Sequence, residues 1–166
     1  AKNRSRRTKE LVHRNMLALK LVMPGVSTQQ SYGHQVNGAS PSQVLGMRRN
    51  IKGATHLGST GACLTTSIAW LFGPTADPGV KVVCEQLDMW VTTWAQMDDT
   101  ERNDSRRTWA LAIGEFVMRQ TAITKGPTEA TIAALIYLGW QPAAPDFWIL
   151  SATTSVKLDG KVFTRF

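Results

Sequence analysis

Met97-Asp98-Asp99 places two carboxylates side by side, the residue type and spacing with which polymerases hold catalytic divalent metals. That chemistry needs a tight hairpin under the pair and a third carboxylate from a neighbouring strand. Here the pair follows a Trp-rich helical stretch, and no preceding apolar strand carries a third aspartate in register. The pair therefore reads as loop, and no metal site is expected. His13, His34 and His56 are more than twenty residues apart and show no paired ligand spacing. No nucleophile elbow or other local triad signature is present. Residues 53–61 are glycine-rich but lack both the Gly-Lys-Ser/Thr ending and the leading strand of a phosphate loop. Cys63 and Cys84 are too few for a disulfide framework and read as reduced, buried, core-type thiols of an intracellular protein. No catalytic residue and no cofactor site is expected, and whether the chain is an enzyme stays open.

What remains is charge. The formal net charge is +7, and residues 1–20 hold Lys2, Arg4, Arg6, Arg7, Lys9, Arg14 and Lys20 against the single acid Glu10. A second cluster, Arg48, Arg49 and Lys52, follows the best helix start in the chain. Arms of this kind meet polyanions: nucleic acid, an acidic protein or lipid headgroups. The candidate phosphate contacts are Arg4, Arg6, Arg7, Lys9, Arg14, Arg48, Arg49 and Lys52, with Tyr32 as a side chain that packs or stacks on a base. No apolar run approaches the roughly 20 residues of a membrane span. The expected compartment is nucleus or cytoplasm, with organelle import left open by the arginine-rich start.

The elements that must carry these residues follow from punctuation and periodicity. Leu11, Val12, Met16, Leu19 and Val22 predict one helix over 5–22, stopped at Pro24-Gly25. Residues 26–37 suggest a short helix ending near Gly33 or Gly38. Ser40-Pro41 opens a helix to about Ala54, with Val44, Leu45 and Ile51 inward. Residues 62–72 suit a short buried helix. Asp77-Pro78 starts another, to about Gln96, along a stripe of Val80, Val83, Cys84, Leu87, Trp90, Val91 and Trp94. Residues 97–105 read as a charged loop, with Asp104 or Ser105 capping a helix to near Thr121. Arg106 and Arg107 then fall in a first turn, where the helix dipole disfavours them. Gly126-Pro127 opens an apolar helix ending at Gly139-Trp140. Gln141–Pro145 reads as a rigid linker, and Phe147–Leu150, Ser155–Leu158 and the Asp159-Gly160 turn before Lys161–Phe163 read as hairpin strands.

The fold expected is mainly α, a bundle of about five to six helices with a C-terminal β-hairpin. Residues 1–140 would form a helical domain with a basic arm at 1–24. Residues 141–166 would be a linker and hairpin docked on the same domain.

Together these segments resemble a known family. Gly25-Val-Ser-Thr-Gln-Gln-Ser-Tyr-Gly-His-Gln-Val-Asn-Gly-Ala-Ser-Pro-Ser-Gln-Val-Leu-Gly-Met-Arg-Arg49 is similar to the stretch just downstream of the palm in reverse-transcriptase-like retroelement open reading frames of the dinoflagellate and algal type. Asp77-Pro-Gly-Val80 through Glu85-Gln-Leu-Asp-Met-Trp90, and Gly126-Pro-Thr-Glu-Ala130 through Leu138-Gly-Trp140, match in the same order. The resemblance implies a helical thumb- or connection-like region that tracks the backbone of a primer–template duplex. The parent enzyme would be an RNA-directed DNA polymerase, but the palm with its metal-binding aspartates is missing, so this chain is not expected to polymerise by itself. Gln43 and Gly46 are neutral where the family has basic residues. The implied function is a non-catalytic module binding an RNA or DNA backbone. The alternative is a non-catalytic structural subunit of a large intracellular or organellar assembly, meeting other subunits through the apolar last helix and the hairpin.

Overall fold

A computed structural model describes residues 2–55, 61–119, 124 and 126–159. The chain is mainly helical and ends in antiparallel strands, and it divides into two compact units. One comprises residues 1–33 and 39–82, the other residues 34–38 and 83–166. Among the described residues there are eight α-helices, more than the five or six expected, and the strands form a three-stranded sheet. No helix among them is long and apolar enough to cross a membrane.

In the first unit, α1 (Lys2–Arg14) stops short of the expected helix over 5–22. Asn15 takes extended dihedrals and its side chain accepts a hydrogen bond from the Leu17 amide, capping a 3-10 turn at Met16–Leu21. That break shifts the phase of the apolar pattern. Val12 and Val22 are buried, whereas Leu11 and Met16, expected on the same face, are exposed. The face that α1 buries is instead Ser5, Thr8 and Val12, spaced three and four residues apart. Pro24-Gly25 does not stop the chain as expected: it lies in a π-helical turn, Met23–Ser27, that runs into α2 (Thr28–Ser31), and α3 (His34–Asn37) follows, with Gly33 and Gly38 after the two at positive φ.

The helix opened by Ser40-Pro41 is α4 (Pro41–Ala54), with the bounds the sequence predicts. Ser40 and Gln43 form a reciprocal capping box, the Gln43 amide donating to Ser40 Oγ at 3.2 Å and the Ser40 amide to Gln43 Oε1 at 2.7 Å. Its buried residues are Met47, Ile51 and Ala54; Leu45 is exposed. The segment expected to be a buried helix is α5 (Leu64–Phe72), of which Ile68 alone is fully buried. Val22, Val26, Ile51, Ala54, Ile68 and Ala76 form this unit's core.

α6 (Pro78–Gln96) begins in the first unit and continues into the second. The second unit's core gathers Trp90, Trp94, Trp109, Ala112, Ile132, Leu135, Trp148 and Leu158. From the expected stripe, Val83, Trp90 and Trp94 are buried, while Val80 and Cys84 are exposed. The charged segment 97–105 is not a loop. Asp98 and Glu101 make a second capping box, the Glu101 amide donating to Asp98 Oδ1 and the Asp98 amide to Glu101 Oε2, so α7 (Asp99–Arg119) starts five or six residues before the expected cap. Arg106 and Arg107 therefore lie beyond its first turn. α8 (Pro127–Tyr137) buries Glu129 to Ile132 and Ala134 to Leu135.

The expected linker is a strand. β1 (Gln141–Ala144), β2 (Phe147–Ser151) and β3 (Thr154–Lys157) pair antiparallel in that order, with Trp148 opposite Val156 and Ile149 opposite Ser155. Proline is tolerated on an edge strand, and its carbonyl still accepts. Trp109 Nε1 donates to Pro142 O at 3.1 Å and Trp90 Nε1 to Pro145 O at 2.8 Å, which satisfies two buried indoles. Gly160 of the expected turn and the strand at 161–163 lie outside the described residues.

Residues 34–38 are held in the second unit by Gln86 Nε2 donating to His34 O at 3.0 Å and by Thr124 Oγ1 donating to Asn37 O. Gly38 sits at φ 70°, and a Cβ there would stand 3.0 Å from both Gln86 Nε2 and Thr124 Oγ1. Gly38→Ala is expected to destabilise the protein by about 1–2 kcal/mol, from the left-handed backbone and the displaced clamp together. Urea unfolding checks this; an unchanged midpoint would mean that residues 34–38 are not anchored this way.

Candidate nucleic-acid interface

The polar seam of α1 decides where its cations go. Ser5 Oγ donates to Asn50 O on α4 at 2.8 Å, and a Cβ on Gly53, on the same side of α4, would stand 3.8 Å from Ser5 Oγ. With Ser5, Thr8 and Val12 turned inward, the remaining surface of α1 is basic and exposed: Arg4, Arg6, Arg7, Lys9 and Arg14. Arg4, Arg7, Leu11 and Arg14 follow spacings of three, four and three, so they form one ridge along the helix. The arm's single acid sits next to this ridge, three residues after Arg7 and four before Arg14, but it pairs with neither. Glu10 lies 3.8 Å from Arg6, in an exposed pair of little energetic weight. Among the described residues no carboxylate pairs with Arg4, Arg7, Lys9, Arg14 or Arg49.

The second cluster does not act as one group. Arg49 is exposed and lies one turn before Gly53, on the ridge of α4 that meets α1, so it borders the α1 seam. Lys52, half-exposed, donates from Nζ to Ala62 O at 3.1 Å, next to the start of α5. Arg48 turns the other way. Its Nε and Nη2 donate to the two oxygens of Asp77 at 2.8 and 2.6 Å, a bidentate pair with the Asp77 side chain 2% exposed. The sequence reading assigns Arg48 to phosphate; the structure commits its guanidinium to a carboxylate of the same chain.

Asp77 was legible only as a helix cap, and it is that too, accepting from the Gly79 amide at 2.9 Å. Nothing local in the sequence links it to Arg48, 29 residues away. Burial pushes its carboxyl up, but the Arg48 hydrogen bond and charge, with the Gly79 and Val80 amides, outweigh burial and hold it below the ordinary carboxylate value.

The other candidates are dispersed. Asp98 is a cap, and Asp99 is exposed, 4.0 Å from Arg102 in an i,i+3 pair. Among the described residues no three His, Cys, Asp or Glu side chains gather where a metal would sit. Arg106 pairs with Asp146 at 3.0 Å, and it and Arg102 lie over the Trp94 ring at 5.4 and 5.7 Å, so both serve packing in the second unit. Both cysteines are exposed, contrary to the buried reading, because Cys63 precedes α5 as its cap and Cys84 falls on the outer face of α6. The Thr66 and Thr65 amides and the Thr66 hydroxyl at the start of α5 draw the exposed Cys63 thiol below its ordinary value, although its side chain makes no capping hydrogen bond. Tyr32 is exposed, not packed.

Comparison with protein-family models, curated proteins and solved structures returns no match for this chain.

Two outcomes follow from this geometry. Asp77→Ala removes the buried partner of Arg48 and the α6 cap together, and should cost about 3 kcal/mol or more in urea unfolding. Because the folded Asp77 value lies below the unfolded one, its stabilisation is complete above about pH 5 and is lost as the pH falls through the folded value. The wild type should lose stability on acidification and the variant less steeply; parallel pH curves would refute the pairing. At neutral pH Cys63 should alkylate with iodoacetamide faster than Cys84, read by peptide mass spectrometry, and equal rates would contradict the lowered thiol.

Proposed function

We propose that this chain is a non-catalytic nucleic-acid-binding module of the thumb or connection kind, part of a reverse-transcriptase-like protein. The observation that carries the reading is the ridge Arg4–Arg7–Arg14, exposed and without carboxylate partners among the described residues, with Arg49 beside the same seam. Cations that already have internal partners bring little to a phosphate. Cations held on a packed helix without partners lose less on binding and release counterions from the polyanion. Such contacts position a backbone and carry no base sequence, which suits a module that tracks a duplex of any sequence.

The resemblance of the Gly25–Arg49, Asp77–Trp90 and Gly126–Trp140 segments supports the same assignment. A second reading, a structural subunit of a large intracellular or organellar assembly, is favoured by the outward apolar residues of the second unit. Leu111 on α7 is 72% exposed and Tyr137 at the end of α8 is 67% exposed. Size-exclusion chromatography separates the two, since a stable monomer argues against an obligate subunit.

Binding to an RNA–DNA duplex, followed by fluorescence anisotropy across a salt series, tests the first reading. Four phosphate contacts predict log Kd rising with log salt with a slope of about 3–4. The triple variant Arg4→Gln, Arg7→Gln, Arg14→Gln should lower that slope by about 3 without changing the fold, because all three side chains are exposed. A flat salt response, or a slope unchanged in the variant, would remove this function.

A further inference from the structure

The six tryptophans divide sharply. Trp90, Trp94, Trp109 and Trp148 are buried in the second unit's core, and Trp140 is half-buried beside it. Trp70 stands apart: it lies on α5 in the first unit and is 81% exposed. Ile68 carries the buried face of α5, and Trp70, two residues on, points the other way, in line with Cys63 and Thr66. Cations adjoin the start of this line. Lys52 Nζ reaches Ala62 O, immediately before α5, and Arg49 lies one turn before Lys52 on α4, bordering the α1 ridge. Leu64, at the start of α5, and Trp70 are six residues apart, about 9 Å along the helix axis. A second aromatic of the same unit, Tyr32, is 91% exposed.

From this juxtaposition we infer that the first unit binds nucleic acid with unpaired bases, a base stacking on the Trp70 indole while Arg49 and the α1 ridge hold the backbone. This rests on the charge reading above and adds the strand state of the ligand. Charge alone favours a duplex, because two strands present more phosphates per unit length than one. An exposed indole reverses that order, since base faces are closed off inside a duplex and open in a single strand. Stacking is tolerant of base identity because every base has a π face, so the site adds strand preference without sequence preference. A partner protein covering Trp70 is the competing use of an exposed indole, and it predicts no response of that indole to nucleic acid.

The test uses the full chain with a mixed-sequence DNA single strand and the duplex of equal length, at one salt concentration. Anisotropy of the labelled DNA gives affinity, and tryptophan emission reports the indole. The single strand should bind more tightly than the duplex and quench emission. Trp70→Ala should weaken single-strand binding about tenfold, abolish the quenching and leave duplex binding unchanged. Trp70→Phe, which keeps a ring, should retain most of the affinity. The exposed position makes both variants safe for folding, which circular dichroism confirms. Duplex binding equal to or tighter than single-strand binding, with no quenching, overturns the inference and leaves the charge reading standing. Loss of binding to both probes removes the charge reading and this inference with it.

Discussion

Asp77 joins two demands in one buried carboxylate: it closes the first turn of α6 and takes both arms of the Arg48 guanidinium from α4. A carboxylate this buried stays charged because each oxygen has a donor, and removing partly exposed Arg48 would leave that charge without its counterion. Gly79 shows how closely the parts fit. A Cβ there would come 2.8 Å from Arg48 Nη2 and 3.0 Å from Asp77 Oδ1. The pair fixes the rotation of α4, and the rotation of α4 decides which of its cations face outward. With Arg48 drawn to Asp77, Met47, Ile51 and Ala54 fall on the core and Arg49 is left beside α1.

The seam between α1 and α4 is small and polar, and that explains how so basic a helix packs at all. A leucine face on α1 would have needed a wide apolar groove. Ser5, Thr8 and Val12 need only a narrow one, with the Ser5 hydroxyl satisfied by a backbone carbonyl of α4. The narrow contact leaves most of the α1 circumference in solvent, so its cations stay available. Fold and proposed function are coupled at this point, since the residue sizes that let the helix dock are the ones that keep its charges outside.

The second unit solves a different problem, the burial of four indoles, two of which donate to proline carbonyls. Trp90 and Trp109 pack with ring centroids 5.1 Å apart, and their N–H groups end on Pro145 and Pro142 of the β1 region. A proline segment that reads as a linker can do this, because proline lacks the amide donor but keeps its carbonyl acceptor, here one in β1 and one in the turn after it.

Local chemistry was legible from the sequence. The starts of α4, α6 and α8 announce themselves by Ser40-Pro41, Asp77-Pro78 and Gly126-Pro127, and α4 and α6 end where the expected helices end. These signals act over three or four residues, within reach of any reader of the chain. The Asn15 break, the Asp98–Glu101 box and the strand at 141–144 differ from expectation because each has a local rival: continuous apolar spacing, a run of charges, a pair of prolines. The division of the second basic cluster was beyond any local signal. Whether Arg48 or Arg49 meets a carboxylate depends on a residue 29 positions away, and whether Trp70 or Trp90 meets water depends on which helices pack beside it. Composition made the chain cationic, and periodicity and capping made it helical; tertiary packing alone decided which charges and which indole were left facing solvent, because burial is a property of neighbours and not of spacing.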